Sequence, residues 1–450
     1  MDRDLDLVLV GATGFVGRLT AAHLAVAAPD GVRIGLAGRS RSRLEQLRVS
    51  LPDRARQWPL IEADVTDGDA AVALAARAAA VATTVGPYAR YGFPLVAACA
   101  AAGTHYADLT GEVLFVHRTV EELHDRASVS GARIVHACGF DSVPSDLGVW
   151  LTAQGARDDG AAGLTDTELV VRRLRGGLSG GTIDSMRQQV IAARSDTAAR
   201  AVLADREALS GPRASTAGDA EPRGDAEPRG HTPPRGHTPP RGHAPTTGAG
   251  EAGAVARSRH TASGRGRGVG PVRQEPGTDR WRVPFFMGGF NAPIVRRSHA
   301  LAEGGYGAAF RYRELQDTGS GLRGALRAVG TVATLGIVAG GMATRPTRAV
   351  LDRLLPAPGD GPSPEQRARG AFTVEITAGT ESGARYRTVV GADLDPGYEG
   401  TAVMLGQSAL ALAAGEGAGA GVLTPATALG EALVERLRAH GFTLDTQPLS

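Results

Sequence analysis

The chain reads as an α/β protein: an N-terminal parallel sheet, then a second α+β unit, with a low-complexity insertion inside that unit. Three observations predict this. Through the first 150 residues, short apolar, β-branched runs alternate with helical stretches, the pattern of repeated strand–helix units. The first run ends abruptly in three spaced glycines. Past residue 160 the alternation gives way to longer strand-like segments, interrupted by a six-residue repeat without large apolar side chains.

The first strand, Leu7-Val8-Leu9-Val10, runs into Gly11-Ala12-Thr13-Gly14-Phe15-Val16-Gly17. Beyond Gly17 the apolar spacing turns helical. The G-x-x-G-x-x-G order therefore sits on a strand-to-helix turn, which is how a Rossmann-like dinucleotide site begins. Gly11 permits the turn, Gly14 leaves room for a pyrophosphate, and Gly17 lets the helix pack closely. The helix N-terminus offers free N–H groups to the phosphates. A second strand, Arg33-Ile34-Gly35-Leu36-Ala37, ends in Gly38-Arg39-Ser40. Its tip would meet the adenosine ribose. An acidic residue there suits NAD, whereas Arg39 suits the 2′-phosphate of NADP(H).

A third strand, 59–65, ends in Asp64-Val65, a pair expected against the adenine. An alanine-rich helix over 70–80 precedes a fourth strand, 81–85, which runs into Gly86-Pro87-Tyr88. Fourth-strand tips face the nicotinamide half of the cofactor. After a helix over 93–102, the fifth strand ends in Tyr106-Ala107-Asp108-Leu109-Thr110-Gly111-Glu112. A helix over 114–130 leads to the sixth strand, which ends in Cys138-Gly139-Phe140-Asp141-Ser142-Val143-Pro144-Ser145-Asp146. Asp141 precedes a helix start, whose dipole is expected to keep the carboxylate ionised.

Past 160, a strand over 167–174 is followed by a helix over 183–209. Residues 211–277 carry Pro-Arg-Gly at a strict six-residue period and read as a disordered insertion. Order resumes with a strand over 281–287. Residues 328–343 are apolar and glycine-rich, flanked by Arg323, Arg327, Arg345 and Arg348. Two readings stand for this segment: a helix at a membrane surface, or a buried hydrophobic helix. Strands over 371–376 and 385–390, helices over 398–414 and 431–440, and an edge strand at 442–444 complete the chain. The domain division predicted is 1–155 for cofactor binding and 156–210 with 278–450 for the substrate.

Composition narrows the function. The 450 residues are 42% hydrophobic with a net charge of +2, which gives no case for a nucleic-acid partner. The two cysteines, Cys99 and Cys138, form no metal-ligand spacing, so no metal is expected. A first strand beginning at about residue 5 leaves no room for a signal peptide, and a reducing cytoplasm is the expected setting.

With these motifs in view, the chain resembles the saccharopine dehydrogenase-like oxidoreductases, and within them the bacterial branch named for trans-acting enoyl reductases. The likeness covers about residues 5–195 and resumes near Phe285. It implies an NADP(H)-dependent reductase acting on a hydrophobic, lipid- or polyketide-derived small molecule, in the cytoplasm or peripheral at the inner face of the plasma membrane. Saccharopine-forming reductases carry Asp-Pro-Gly where this chain has Asp141-Ser142-Val143-Pro144, which argues against an amino-acid substrate. The proton donor stays open among Tyr88, Asp108, Glu112 and Asp141. Tyr88 and Asp141 are taken as the catalytic candidates, with Asp141 expected to orient rather than donate. The competing function is a catalytically silent NADP-binding protein at a lipid surface. Oligomeric state is left open.

Overall fold

The computed structural model describes residues 3–176, 180–211, 271–341 and 361–449. Two seven-stranded sheets organise them. The first is wholly parallel. Its strands are β1 (Leu5–Val10), β2 (Ile34–Gly38), β3 (Leu60–Glu62), β4 (Ala78–Thr83), β5 (His105–Asp108) and β6 (Arg133–Val135), plus β13 (Gly421–Leu423) from late in the chain, in the order β13-β6-β5-β4-β1-β2-β3. Val10 lies opposite both Ala37 and Thr83. This register brings the ends of β1, β2 and β4 out along one edge. Leu7, Leu9, Leu36 and Val81 are fully buried between covering helices, which is why these runs are apolar on both faces.

The second sheet is mixed. It contains β7 (Leu164–Arg175), β8 (Arg273–Gln274), β9 (Arg280–Pro284), β10 (Arg311–Ser320), β11 (Ala371–Thr380), β12 (Arg385–Ala392) and β14 (Thr443–Leu449), in the order β14-β12-β11-β7-β10-β9-β8. Only β7 and β10 run parallel; the other pairs are antiparallel. The helix Val143–Asp158 packs on it so closely that a Cβ on Gly148 would lie 2.5 Å from Ile376 Cδ1. Elsewhere the sheet carries a cluster of ion pairs. Arg172 reaches Glu275, Asp317 and Glu375 at 2.9–3.1 Å, and Arg282 pairs with Glu168 and Glu275.

Several expectations are corrected. The division at residue 155 does not separate the first sheet from the rest: β13 is its edge strand, and the helix Thr401–Ala413 packs against β1, β4 and β5. The 211–277 insertion lies outside the described residues from 212 to 270, and it ends sooner than its composition suggests. Arg273 and Gln274 pair with β9, and Glu275 is held by two arginines. The helix expected over 183–209 is two helices, Gly180–Ser195 and Thr197–Ala204. They break at Asp196, whose carboxylate caps the second. The fourth strand starts at Ala78 because alanines read as helix also fit a tightly packed strand. The apolar segment belongs to a helix, Gly321–Gly341, that starts earlier than expected and is mostly exposed. This rules out the buried-helix reading for the described part; residues 342 and 343 lie outside it.

Candidate active site

The glycine turn has the geometry its spacing predicts. Gly11 takes φ +77°, in the left-handed region that favours glycine, and a Cβ on Gly17 would stand 2.1 Å from the Gly11 carbonyl oxygen. The helix Phe15–Ala27 that follows has no acidic residue in its first turn, so no carboxylate competes for its N-terminal N–H groups. The turn opens onto a cleft of about 290 Å³. Gly14, Phe15 and Val16 form one wall, and Thr84, Gly86 and Pro87 beyond β4 form another. A side-chain-free cradle at a helix start, continuous with a cleft, fits a dinucleotide.

The remaining predicted contacts lie along the same strand edge but outside the cleft. Ala12 is buried behind the turn, and Thr13 is partly exposed. Arg39 is exposed at the β2 tip, free to meet a phosphate. The Ser40 hydroxyl accepts from the Arg43 N–H and caps the next helix. Asp64 is exposed, and hydrogen bonds from Thr66 hold its carboxyl below the usual range, with nearby Arg39 adding to the effect. Val65 is in the core.

Three of the four proton-donor candidates are tied up in the scaffold. The Tyr88 hydroxyl donates to the Thr83 carbonyl at 3.0 Å and accepts from the Leu109 N–H at 3.1 Å. Burial raises its pKa well above the ordinary value. Its ring lines the cleft, but its one proton is committed to the backbone, so the structure does not support the expected catalytic role. Asp108, fully buried, accepts from the Tyr106 hydroxyl, the Thr110 and Ala137 N–H groups and His136 Nδ1. Glu112 accepts from the Tyr88 and Ala89 N–H groups and the Ser185 hydroxyl. It anchors the turn after Pro87, although burial pushes its carboxyl up.

Asp141 differs. It lines the cleft and takes a hydrogen bond from the Thr182 hydroxyl at 3.3 Å. Burial raises its pKa to about 6, only partly offset by that bond. At pH 7 a carboxyl near 6 is still mostly ionised, but it keeps a protonated fraction that an ordinary aspartate lacks. Ser142 stands at the N-cap position of the helix Val143–Asp158 without a side-chain cap bond, its hydroxyl turned to Asn291 Oδ1 at 3.3 Å.

Other parts of the cleft were not legible as site residues. Phe286, Leu174, Pro396, Tyr398 and Thr401 close it from the second sheet and the segment before the Thr401–Ala413 helix. Tyr398 meets Phe15 edge-to-face at 4.9 Å. The Thr401 hydroxyl accepts from the Phe140 N–H at 3.1 Å and so ties the sixth-strand tip to a helix far along the chain. No local signal marks these residues; the Tyr398–Phe15 and Thr401–Phe140 contacts join positions more than 200 apart.

Residues 7–135 match the family model for the saccharopine dehydrogenase NADP-binding domain. A Mycobacterium tuberculosis protein named as a trans-acting enoyl reductase is 44% identical over 455 residues, covering 100% of this chain and 99% of its own length. The trans-acting enoyl reductase of Mycobacterium ulcerans is 38% identical over 99% of both chains. The apo saccharopine dehydrogenase (L-Glu forming) from Saccharomyces cerevisiae superposes over 99% of each chain with a TM-score of 0.52 at 11% identity, which establishes a shared fold. The fold and the glycine cradle define an NADP-dependent oxidoreductase of the saccharopine dehydrogenase-like class. Within that class, the chain belongs to the trans-acting enoyl reductase family.

Proposed function

We propose that the protein reduces an enoyl or keto group on a hydrophobic, lipid- or polyketide-derived substrate in the cytoplasm. The observation that carries this reading is the lining of the cleft. Beside the glycine turn it presents Phe140, Leu174, Phe286, Pro396 and Tyr398, and no arginine or lysine lies among its described lining residues. Such a wall suits an uncharged, apolar reacting end and offers no cationic side chain, among the described residues, to hold an amino-acid carboxylate. The names of the mycobacterial relatives support the enoyl form. Two free, buried thiols, Cys99 and Cys138, support a reducing compartment.

NADPH, when bound, supplies the hydride. The chain's own contribution is orientation and a proton. Gly14, on the turn that Gly11 and Gly17 make possible, would hold the pyrophosphate against the helix N-terminus, with Arg39 on the 2′-phosphate. Gly86 and Pro87 would border the nicotinamide. Asp141 would hold the proton that completes the reduction, steadied by Thr182. A carboxyl near 6 is far better poised to donate at neutral pH than one at its ordinary 3.8.

The test follows NADPH oxidation with long- and short-chain enoyl and ketoacyl thioesters, and weighs the product for a gain of one molecule of hydrogen. Consumption that rises with acyl length is expected. NADPH binding with no consumption on any of these substrates would favour the catalytically silent alternative.

A further inference from the structure

The helix Gly321–Gly341 is held against the second sheet through its N-terminal turns. Its first turns pack on the second sheet: a Cβ on Gly324 would collide with the Gly319 carbonyl, Ala328 is fully buried, and the Thr318 hydroxyl donates to the Gly324 carbonyl at 3.1 Å. Beyond Ala328, no described residue of the helix is buried. Leu322, Leu326, Val329 and Ile337 are 76%, 64%, 60% and 70% exposed. They fall at i, i+4, i+7 and i+15, which puts them on one stripe. Arg323, Arg327 and Thr334 flank that stripe on one side, and the packed residues Gly324 and Ala328 lie opposite. The sequence has no acidic residue from 321 to 351, and Arg345 and Arg348 follow within that stretch.

We infer that this helix lies flat in the interface of an anionic lipid bilayer, its apolar stripe among the acyl chains and its arginines on the headgroups. Spanning is excluded for the described helix: past the anchored turns, residues 329–341 reach only about 20 Å, against a hydrocarbon core of about 30 Å. An amphipathic, acid-free helix with exposed leucine and isoleucine suits the interface instead. Charge chooses this occupant over a second copy of the chain, since two such faces would bring like charges together. The inference does not depend on the reductase reading, because it is tested without turnover.

The experiment is co-sedimentation of the full chain with vesicles of phosphatidylcholine alone and of phosphatidylcholine mixed with phosphatidylglycerol. Binding to the mixed vesicles is expected. Arg323→Ala with Arg327→Ala should weaken it by about fivefold per arginine. Leu326→Glu with Ile337→Glu should abolish it, with melting temperature and NADPH affinity unchanged. Three results would overturn the inference: no sedimentation with either vesicle, glutamate variants that bind like wild type, or a dimer in solution that the same glutamates dissociate.

Discussion

Asp141 carries more of the chemistry than its position in the sequence suggests, because burial acts on it while leaving it a single weak hydrogen bond. A carboxyl raised from 3.8 to about 6 keeps, in the folded chain, a proton that the unfolded chain has already released between those values. Stability therefore falls as pH rises through that window and stays lowered above it. Asp141→Asn should raise stability at pH 7, by at most about 3 kcal/mol, and change nothing near pH 3; thermal melts at the two pH values check this. The same variant should lower turnover about 100-fold or more while moving the NADPH Kd less than about threefold. Loss of NADPH binding would count against the placement. Arg39 makes the complementary case for cofactor choice. Arg39→Ala should cost NADPH affinity about 1.5–3 kcal/mol and leave NADH affinity unchanged, as read by titration. Equal wild-type affinities for the two cofactors would refute the assignment.

Elements defined by local pattern were read well; those defined by distant partners were not. The glycine turn, β1, β2 and the helix Val113–Ser130 follow from apolar spacing and backbone demands within a few residues. The strand β8 does not. Arg273-Gln274 looks like the tail of a polar insertion until β9 pairs with it and Glu275 joins Arg172 and Arg282. This sets where the insertion can be cut. Replacing residues 212–270 with a short Gly/Ser linker should leave the melting temperature nearly unchanged, since closing a loop costs free energy only logarithmically in its length. Extending the deletion to 277 strips Arg172 and Arg282 of a partly buried partner and should lower the melting temperature by several degrees. Equal melts for the two deletions would mean that the ion-pair cluster contributes nothing.

Over the whole molecule, the chain returns to its beginning. Met404, Leu405 and Leu412 are fully buried in a helix packed on the first sheet, and Val422 is fully buried in the strand that pairs with β6. A chain ending at residue 400 should therefore not yield a soluble NADP-binding unit, even though the family model for that unit ends at residue 135. Expression with and without residues 401–450, followed by NADPH titration of the soluble fraction, decides this. A well-folded, binding-competent truncation would show that the first sheet closes without its seventh strand.

The amino-acid sequence by itself determined the parallel N-terminal sheet, the glycine turn, the arginine at the β2 tip and the family. Each rests on residues adjacent in the chain, where sterics and spacing act directly. Only the tertiary structure decided which of the four candidates offers its acid to the cleft, what closes the cleft, and that the helix Gly321–Gly341 lies exposed. Four candidate side chains clustered near the strand tips look alike in sequence. Hydrogen bonds with Thr83, Leu109, His136 and Ser185 tie three of them into the scaffold and leave Asp141 facing the cleft. Burial and hydrogen-bond partnership depend on residues hundreds of positions away, and no local pattern carries that information.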